Sequence, residues 1–171
     1  TERKQMEEEL RNYSENLAEM VLKKTNELAI SERLLQTTIE NVPDHVYVKS
    51  RERDSDKGFK FIYVNDSYSK FHNKTKKQII GKSNYSLYQK DQASSFTKED
   101  TKIFNEGKSI LSPDTEVTTS NGDIRVIQTI KAPIKDKTGF VTHIIGITRD
   151  LTERKRLEKM KDQFISAVTH E

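Results

Sequence analysis

The chain has 171 residues, of which 33% are charged and 32% hydrophobic, with a formal net charge of +3. That ratio starves a sphere of this size of core, so part of the chain is expected to be extended helix whose apolar face a partner covers. There is no cysteine, which excludes disulfides, thiolate metal sites and cysteinyl cofactor linkages, and no apolar run approaches the roughly 18 residues of a membrane-spanning helix.

Residues 1–42 hold nine Glu against six Lys and Arg, a net of −3, residues 43–150 come to +5, and residues 151–171 to +1. Lys is scattered rather than striped, which argues against nucleic acid as a partner. The start at Thr1 and the stop at Glu171 inside a helical pattern lead us to expect an excerpt of a longer cytoplasmic protein, any membrane anchor lying upstream and no membrane contact within the excerpt.

Residues 2–42 contain no Gly or Pro and are rich in good helix formers. Met6, Leu10, Tyr13, Leu17 and Met20 follow one another at steps of 4, 3, 4 and 3, the spacing of a coiled-coil seam. Val21, Leu28, Leu35 and Ile39 take up a second register, a phase shift resembling a stutter. Two readings fit: an amphipathic helix lying on a domain, or a parallel coiled coil joining two copies of the chain. The sustained heptads favour the homodimer.

Asn41-Val-Pro43-Asp44 stops that helix. Val46–Val48 and Phe59–Val64 then have strand composition, separated by the charged stretch 50–58, and Asn65 or Asp66 can cap a short helix over 67–71. Residues 72–92 carry short helical turns broken at Gly81, and residues 94–106 form a longer helix ended by Gly107. Asn121-Gly122 joins strands 114–120 and 124–134 in a tight hairpin, and Asp136-Lys-Thr-Gly139 leads into strand 140–148. That last strand is apolar on both alternating faces, so both are expected to be buried, one against the domain interior and the other against a flanking helix or the second subunit. Asp150 and Glu153 have capping-box spacing at the head of a final helix, 151–171, whose seam is Leu157, Met160, Phe164 and Val168.

Residues 41–155 resemble a PAS domain. The likeness lies in Tyr63-Val64-Asn65, Ile80-Gly81-Lys82, the Asn121-Gly122 hairpin, and the stretch from Pro133 to Gly139 and on through Asp150-Leu-Thr-Glu-Arg-Lys155. It implies an α+β fold with a five-stranded antiparallel sheet, helices across one face, and long flanking helices. It also implies that a ligand or partner is sensed and a signal leaves along the exit helix, with Asp150, Thr152 and Glu153 in the handover. Thr1-Glu-Arg-Lys4 repeats Thr152-Glu-Arg-Lys155, so the first helix is expected to leave a preceding PAS domain. The resulting division is 1–42 linker helix, 43–150 sensor domain and 151–171 signalling helix. Tyr63, Tyr88, Phe104, Thr129 and Thr148 are candidate pocket residues, although each also suits a plain core position.

Phe164-Ile-Ser-Ala-Val-Thr-His170-Glu171 resembles the phosphoacceptor box of sensor histidine kinases. The resemblance gives His170 the phosphoryl group and Glu171 the task of hydrogen-bonding or deprotonating the imidazole. It makes the whole protein an ATP- and Mg-dependent kinase whose partner is a response-regulator receiver domain. Transfer to His needs a neutral, accessible imidazole, and at 100° per residue His170 lies about 120° from Phe164, off the apolar stripe. The excerpt itself has no phosphate-cradling Gly loop and no carboxylate cluster for Mg²⁺, so alone it is expected to be inactive.

His45, His72 and His143 have no second ligand at metal spacing, so no metal site is expected. No cofactor is identifiable: the missing Cys removes flavin-adduct photosensing, and residues 94–106 lack the His that haem-binding relatives place there. Two rivals stay open. One is a non-catalytic PAS dimerisation module driving another output, such as a nucleotide cyclase or transcription regulator; the other is a coiled-coil scaffold with a degenerate domain.

Overall fold

A computed structural model describes residues 1–51 and 58–169. The chain divides into two compact units, Thr1–Glu40 and Asn41–Glu171. The first is one unbroken helix, α1 (Glu2–Asn41), with no buried residue. Its seam residues Met6, Leu10, Tyr13, Leu17 and Met20 are all exposed.

The second unit runs β1 (His45–Arg51), β2 (Phe59–Val64), α2 (Asp66–Phe71), α3 (Lys76–Ile79), a 3₁₀ turn (Asn84–Ser86), α4 (Lys90–Glu106), β3 (Ile110–Thr118), β4 (Ile124–Lys135), β5 (Val141–Asp150) and α5 (Thr152–Thr169). The five strands form one antiparallel sheet in the order β2-β1-β5-β4-β3. Local chemistry makes the corners. Asp136 Oδ1 accepts from the Thr138 and Phe140 amides at 2.8 and 3.1 Å, while Gly122 and Gly139 supply the positive φ angles of the two turns. Asn65 caps α2: its Oδ1 accepts from the amides of both Tyr68 and Val46 at 3.0 Å, and its Nδ2 donates to Asp44 O at 3.0 Å. One buried amide thus ties β1, β2 and α2 together.

Strand alternation sends His45, Tyr47, Lys49, Thr129, Lys131, Ile144, Gly146 and Thr148 to the face that the helices cover. Two apolar clusters form there: Tyr47, Phe61, Val64, Tyr68, Ile79 and Leu87, and a second of Phe59, Ile103 and Ile144. The opposite face carries Leu111, Ile130, Ile134 and Ile147, all exposed. Within one chain only the inner face of the last strand is covered. On the outer face Ile147 is 41% exposed, and Phe140, in the turn before β5, is 73% exposed.

Among the glycines, the closest side-chain approach is at Gly146. A Cβ there would lie 2.0 Å from Cζ of Tyr47, whose ring crosses β5 at that point. Gly146→Ala is expected to destabilise the domain by about 2 kcal/mol, the usual effect of overpacking a core. Urea unfolding of the two proteins checks this.

Candidate functional site

Three elements that are each amphipathic place a charged residue at a buried position. On β1 the inward alternation reaches Lys49, on β4 it reaches Lys131, and on α4 the buried face formed by Ala93 and Ile103 includes Asp100. These side chains are 2%, 3% and 0% exposed. Lys49 Nζ donates to Asp100 Oδ2 and to Asn84 Oδ1, both at 2.7 Å. Lys131 Nζ donates to Asp100 Oδ1 at 2.8 Å and pairs with Glu99 Oε2 at 3.0 Å. Asn84 Nδ2 adds a bond to Asp100 Oδ2 at 3.2 Å, and Ser112 Oγ donates to Glu99 Oε2 at 3.3 Å. The Lys49 ammonium also lies 4.8 and 4.7 Å over the Tyr47 and Phe61 rings.

Burial opposes charge at all three groups. At Lys49 burial wins over the single carboxylate of Asp100, and the ammonium pKa is lowered to about 8. At Lys131 two carboxylates, Asp100 and Glu99, outweigh burial and hold the pKa above its ordinary value. Asp100 faces both ammoniums, which outweigh its own burial and keep it ionised. Beside this network a cavity of about 20 Å³ is lined by Tyr47, Tyr88, Phe96, Ile127, Thr129 and Thr148 among others. That is room for about one water, against roughly 300–1,000 Å³ for sites of drug-sized ligands.

A second buried group adjoins the cavity. His72 Nε2 stands 3.2 Å from the Tyr88 hydroxyl, which is 3.3 Å from that of Tyr68. Burial drives the His72 pKa down to about 3, so the ring is a neutral packing element.

The exit from the sheet is built on Asp150. Its Oδ1 accepts from the Thr152 amide at 2.8 Å and from the Thr152 hydroxyl at 2.5 Å. That hydroxyl accepts in turn from the Val126 amide of β4 at 2.9 Å, and Leu151 N donates to Val126 O at 2.7 Å. Asp150 Oδ2 lies 3.5 Å from Arg125, and Lys155 reaches Asp114 at 2.9 Å. The first turn of α5 is thereby stitched to β4 and β3. On the same β4–β5 ladder Ile127 pairs with Asp150 and Thr129 with Thr148, whose hydroxyls are 2.9 Å apart on the cavity wall. Cavity and exit are thus two residues apart along each strand, on one face.

Of the residues singled out from sequence, Tyr88, Thr129 and Thr148 line this cavity and Tyr63 and Phe104 do not. A register shift in the β1–β2 pairing leaves Ile62 unpaired and sets Tyr63 opposite Val48, on the outer face. Phe104 packs on Phe59 at 5.5 Å, with the second apolar cluster. Asp150 and Thr152 are brought together, whereas the Glu153 carboxylate makes no hydrogen bond or ion pair among the described residues. His170 and Glu171 lie outside the described residues. Sequence reasoning missed Lys49, Asp100 and Lys131. Their signal was present as a charge on the apolar stripe of each element, with opposite signs on strands and helix. Among the described residues no three His, Asp or Glu side chains gather to hold a metal ion, and no helix is long and apolar enough to cross a membrane.

A family model described as the PAS fold matches residues 39–156. A diguanylate cyclase of Vibrio cholerae is 26% identical over 121 residues, 70% of this chain and 36% of that protein. The methanogenesis regulatory histidine kinase FilI of Methanothrix harundinacea is 25% identical over 165 residues, 93% of this chain and 18% of that protein. The chain thus spans little more than a third of the first of these curated relatives and less than a fifth of the second. Among solved structures, the PAS domain of a Colwellia psychrerythraea protein superposes with a TM-score of 0.59 at 19% identity, covering 73% of this chain and 98% of that one.

Asp100→Asn would leave the buried Lys49 ammonium with no carboxylate and Lys131 with Glu99 alone, and is expected to destabilise the domain by about 3–5 kcal/mol. Its pH signature has a definite sign. Because the folded pKa of Asp100 lies below 3.8, its contribution is present above that value and is lost as the pH falls through the folded pKa. Urea unfolding from pH 7 downward is expected to show a larger acid-side loss in the wild type than in the variant, which keeps the part contributed by Asp44 and Asp136.

Proposed function

The chain belongs to the PAS fold family, and on that premise we propose that it is the sensor and linker region of a two-component sensor histidine kinase. What occupies or perturbs the cavity shifts the Thr129–Thr148 rung. The neighbouring Ile127–Asp150 rung carries that shift to Thr152 and the first turn of α5. The observation that carries this reading is the adjacency of cavity and exit on one ladder. A histidine kinase related along 93% of the chain supports the choice of output.

In this reading two copies associate through α1 and α5. Their exposed apolar seams, Met6 to Met20 on one helix and Leu157, Met160, Phe164 and Val168 on the other, call for a covering surface. His170 receives the γ-phosphoryl group from ATP, with Mg²⁺ and the ATP-binding domain supplied by the rest of the protein. A neutral imidazole is required, since one ring nitrogen must attack in line, and in this reading Glu171 takes or holds the proton on the other. The phosphoryl group then passes to a receiver domain. The diguanylate cyclase relative supports a second reading, in which the same relay drives a nucleotide cyclase.

With the segment joined to its downstream ATP-binding domain, acid-labile phosphate is expected on the protein and is expected to vanish in His170→Gln. Label that persists in that variant removes the kinase assignment. Asp150→Ala is expected to cost about 1 kcal/mol of stability, as loss of a cap does, while separating output from input. Regulation at the wild-type level in a folded Asp150→Ala protein overturns the relay.

A further inference from the structure

Two hydroxyl hydrogens on the cavity wall have no acceptor among the described residues. Asp100 is fully engaged by Lys49, Lys131 and Asn84. One of Thr129 and Thr148 donates to the other, so one hydroxyl hydrogen of that pair has no acceptor among the described residues. The Tyr47 hydroxyl, on a side chain only 4% exposed, has no partner among them either. Charge points the same way: the buried Lys49, Lys131 and Asp100 sum to +1.

The balancing charge is Glu99, and it differs from Asp100 in every respect that governs displacement. Its side chain is 29% exposed at the rim, where that of Asp100 is wholly buried. One of its oxygens, Oε2, takes both the Lys131 ammonium and the Ser112 hydroxyl. If Glu99 turns outward into water, those two donors and the space of one carboxylate become available beside the existing 20 Å³. Phe96 and Ile127 offer apolar surface for a short alkyl group.

We propose that this cavity is the receptor site for a short-chain carboxylate of about acetate size, whose carboxylate displaces Glu99 from Lys131 and Ser112. The inference deepens the sensor reading by naming the class of ligand, and rests on that reading only for what binding does downstream. Glu99 serves as an internal competitor that occupies the site when ligand is absent. A cationic ligand adds to an existing positive charge, a neutral one leaves Lys131 without its second anion, and a phosphate dianion brings more charge and bulk than one rim carboxylate vacates.

The test is an amide ¹H–¹⁵N titration of the 171-residue chain with sodium acetate at constant ionic strength, with sodium chloride and sodium phosphate as parallel arms. Saturable shifts centred on Ser112, Thr129 and Lys131 are expected with acetate and not with the other two salts. Glu99→Gln is expected to tighten acetate binding by about tenfold, because a neutral amide competes less well than a carboxylate for an ammonium. Ser112→Ala, which removes a neutral donor, is expected to weaken it. Linear shifts, equal shifts with chloride or phosphate, or unchanged or weaker binding in Glu99→Gln overturn the proposal. Absence of acetate binding, in a chain whose fused kinase still loses regulation on Asp150→Ala, removes the ligand class and leaves the relay standing.

Discussion

The sensor unit is organised around one carboxylate. Asp100 is fully buried and accepts from two ammoniums and an amide. Because each donor comes from a different part of the chain, β1, the 3₁₀ turn and β4 are all referred to one point on α4. An apolar core of the same volume would be as stable or more so, since buried ion pairs rarely gain over well-packed hydrophobic side chains. What the ionic cluster adds is position. Lys49 and Lys131 cannot slide along α4 without stranding a charge, so the register of helix on sheet is fixed, and with it the walls of the cavity.

That rigidity extends only so far. Asp100 and Lys49 are sealed, whereas Glu99 sits at the rim with water at hand. The network therefore has a fixed half and an exchangeable half. The exchangeable half faces the rung of β4 and β5 that leads to Asp150. A sensor built in this way needs no large hinge, because a change in the partner of the Lys131 ammonium lies four residues along the strands from the rung that leads into the outgoing helix.

Much of the fold is legible from the chain. Asn121-Gly122, Gly107 and the Asp136 turn are local chemistry, and the structure places a hairpin, a helix end and a turn where they stand. The short strands and the exit capping at Asp150 follow from alternation and from the reach of an Asp side chain. The cavity was legible only in part. Thr129 and Thr148 sit at inward positions of strands with plain alternation, whereas Tyr63 was misplaced because the register shift opposite Ile62 is a property of the pairing with β1 and leaves no mark on the strand itself. Phe104 was placed on the cavity because one helix has more than one buried neighbour, and the sequence does not say which of its turns meets the cavity.

Lys49, Asp100 and Lys131 mark the boundary between the two kinds of information. Each is visible as a charge on an apolar stripe, but whether such a charge points out, snorkels or meets a partner depends on elements 31 to 82 residues away along the chain. The sequence by itself determined the elements, their turns, the α+β order and the seams of the two long helices, because these rest on periodicity and on contacts a few residues apart. The tertiary structure alone decided that two lysines share one aspartate, that Glu99 meets Lys131 at the rim, and that cavity and exit occupy neighbouring rungs. Those are distances between groups that only the closed sheet brings together, and their energies depend on a burial that no single element can provide.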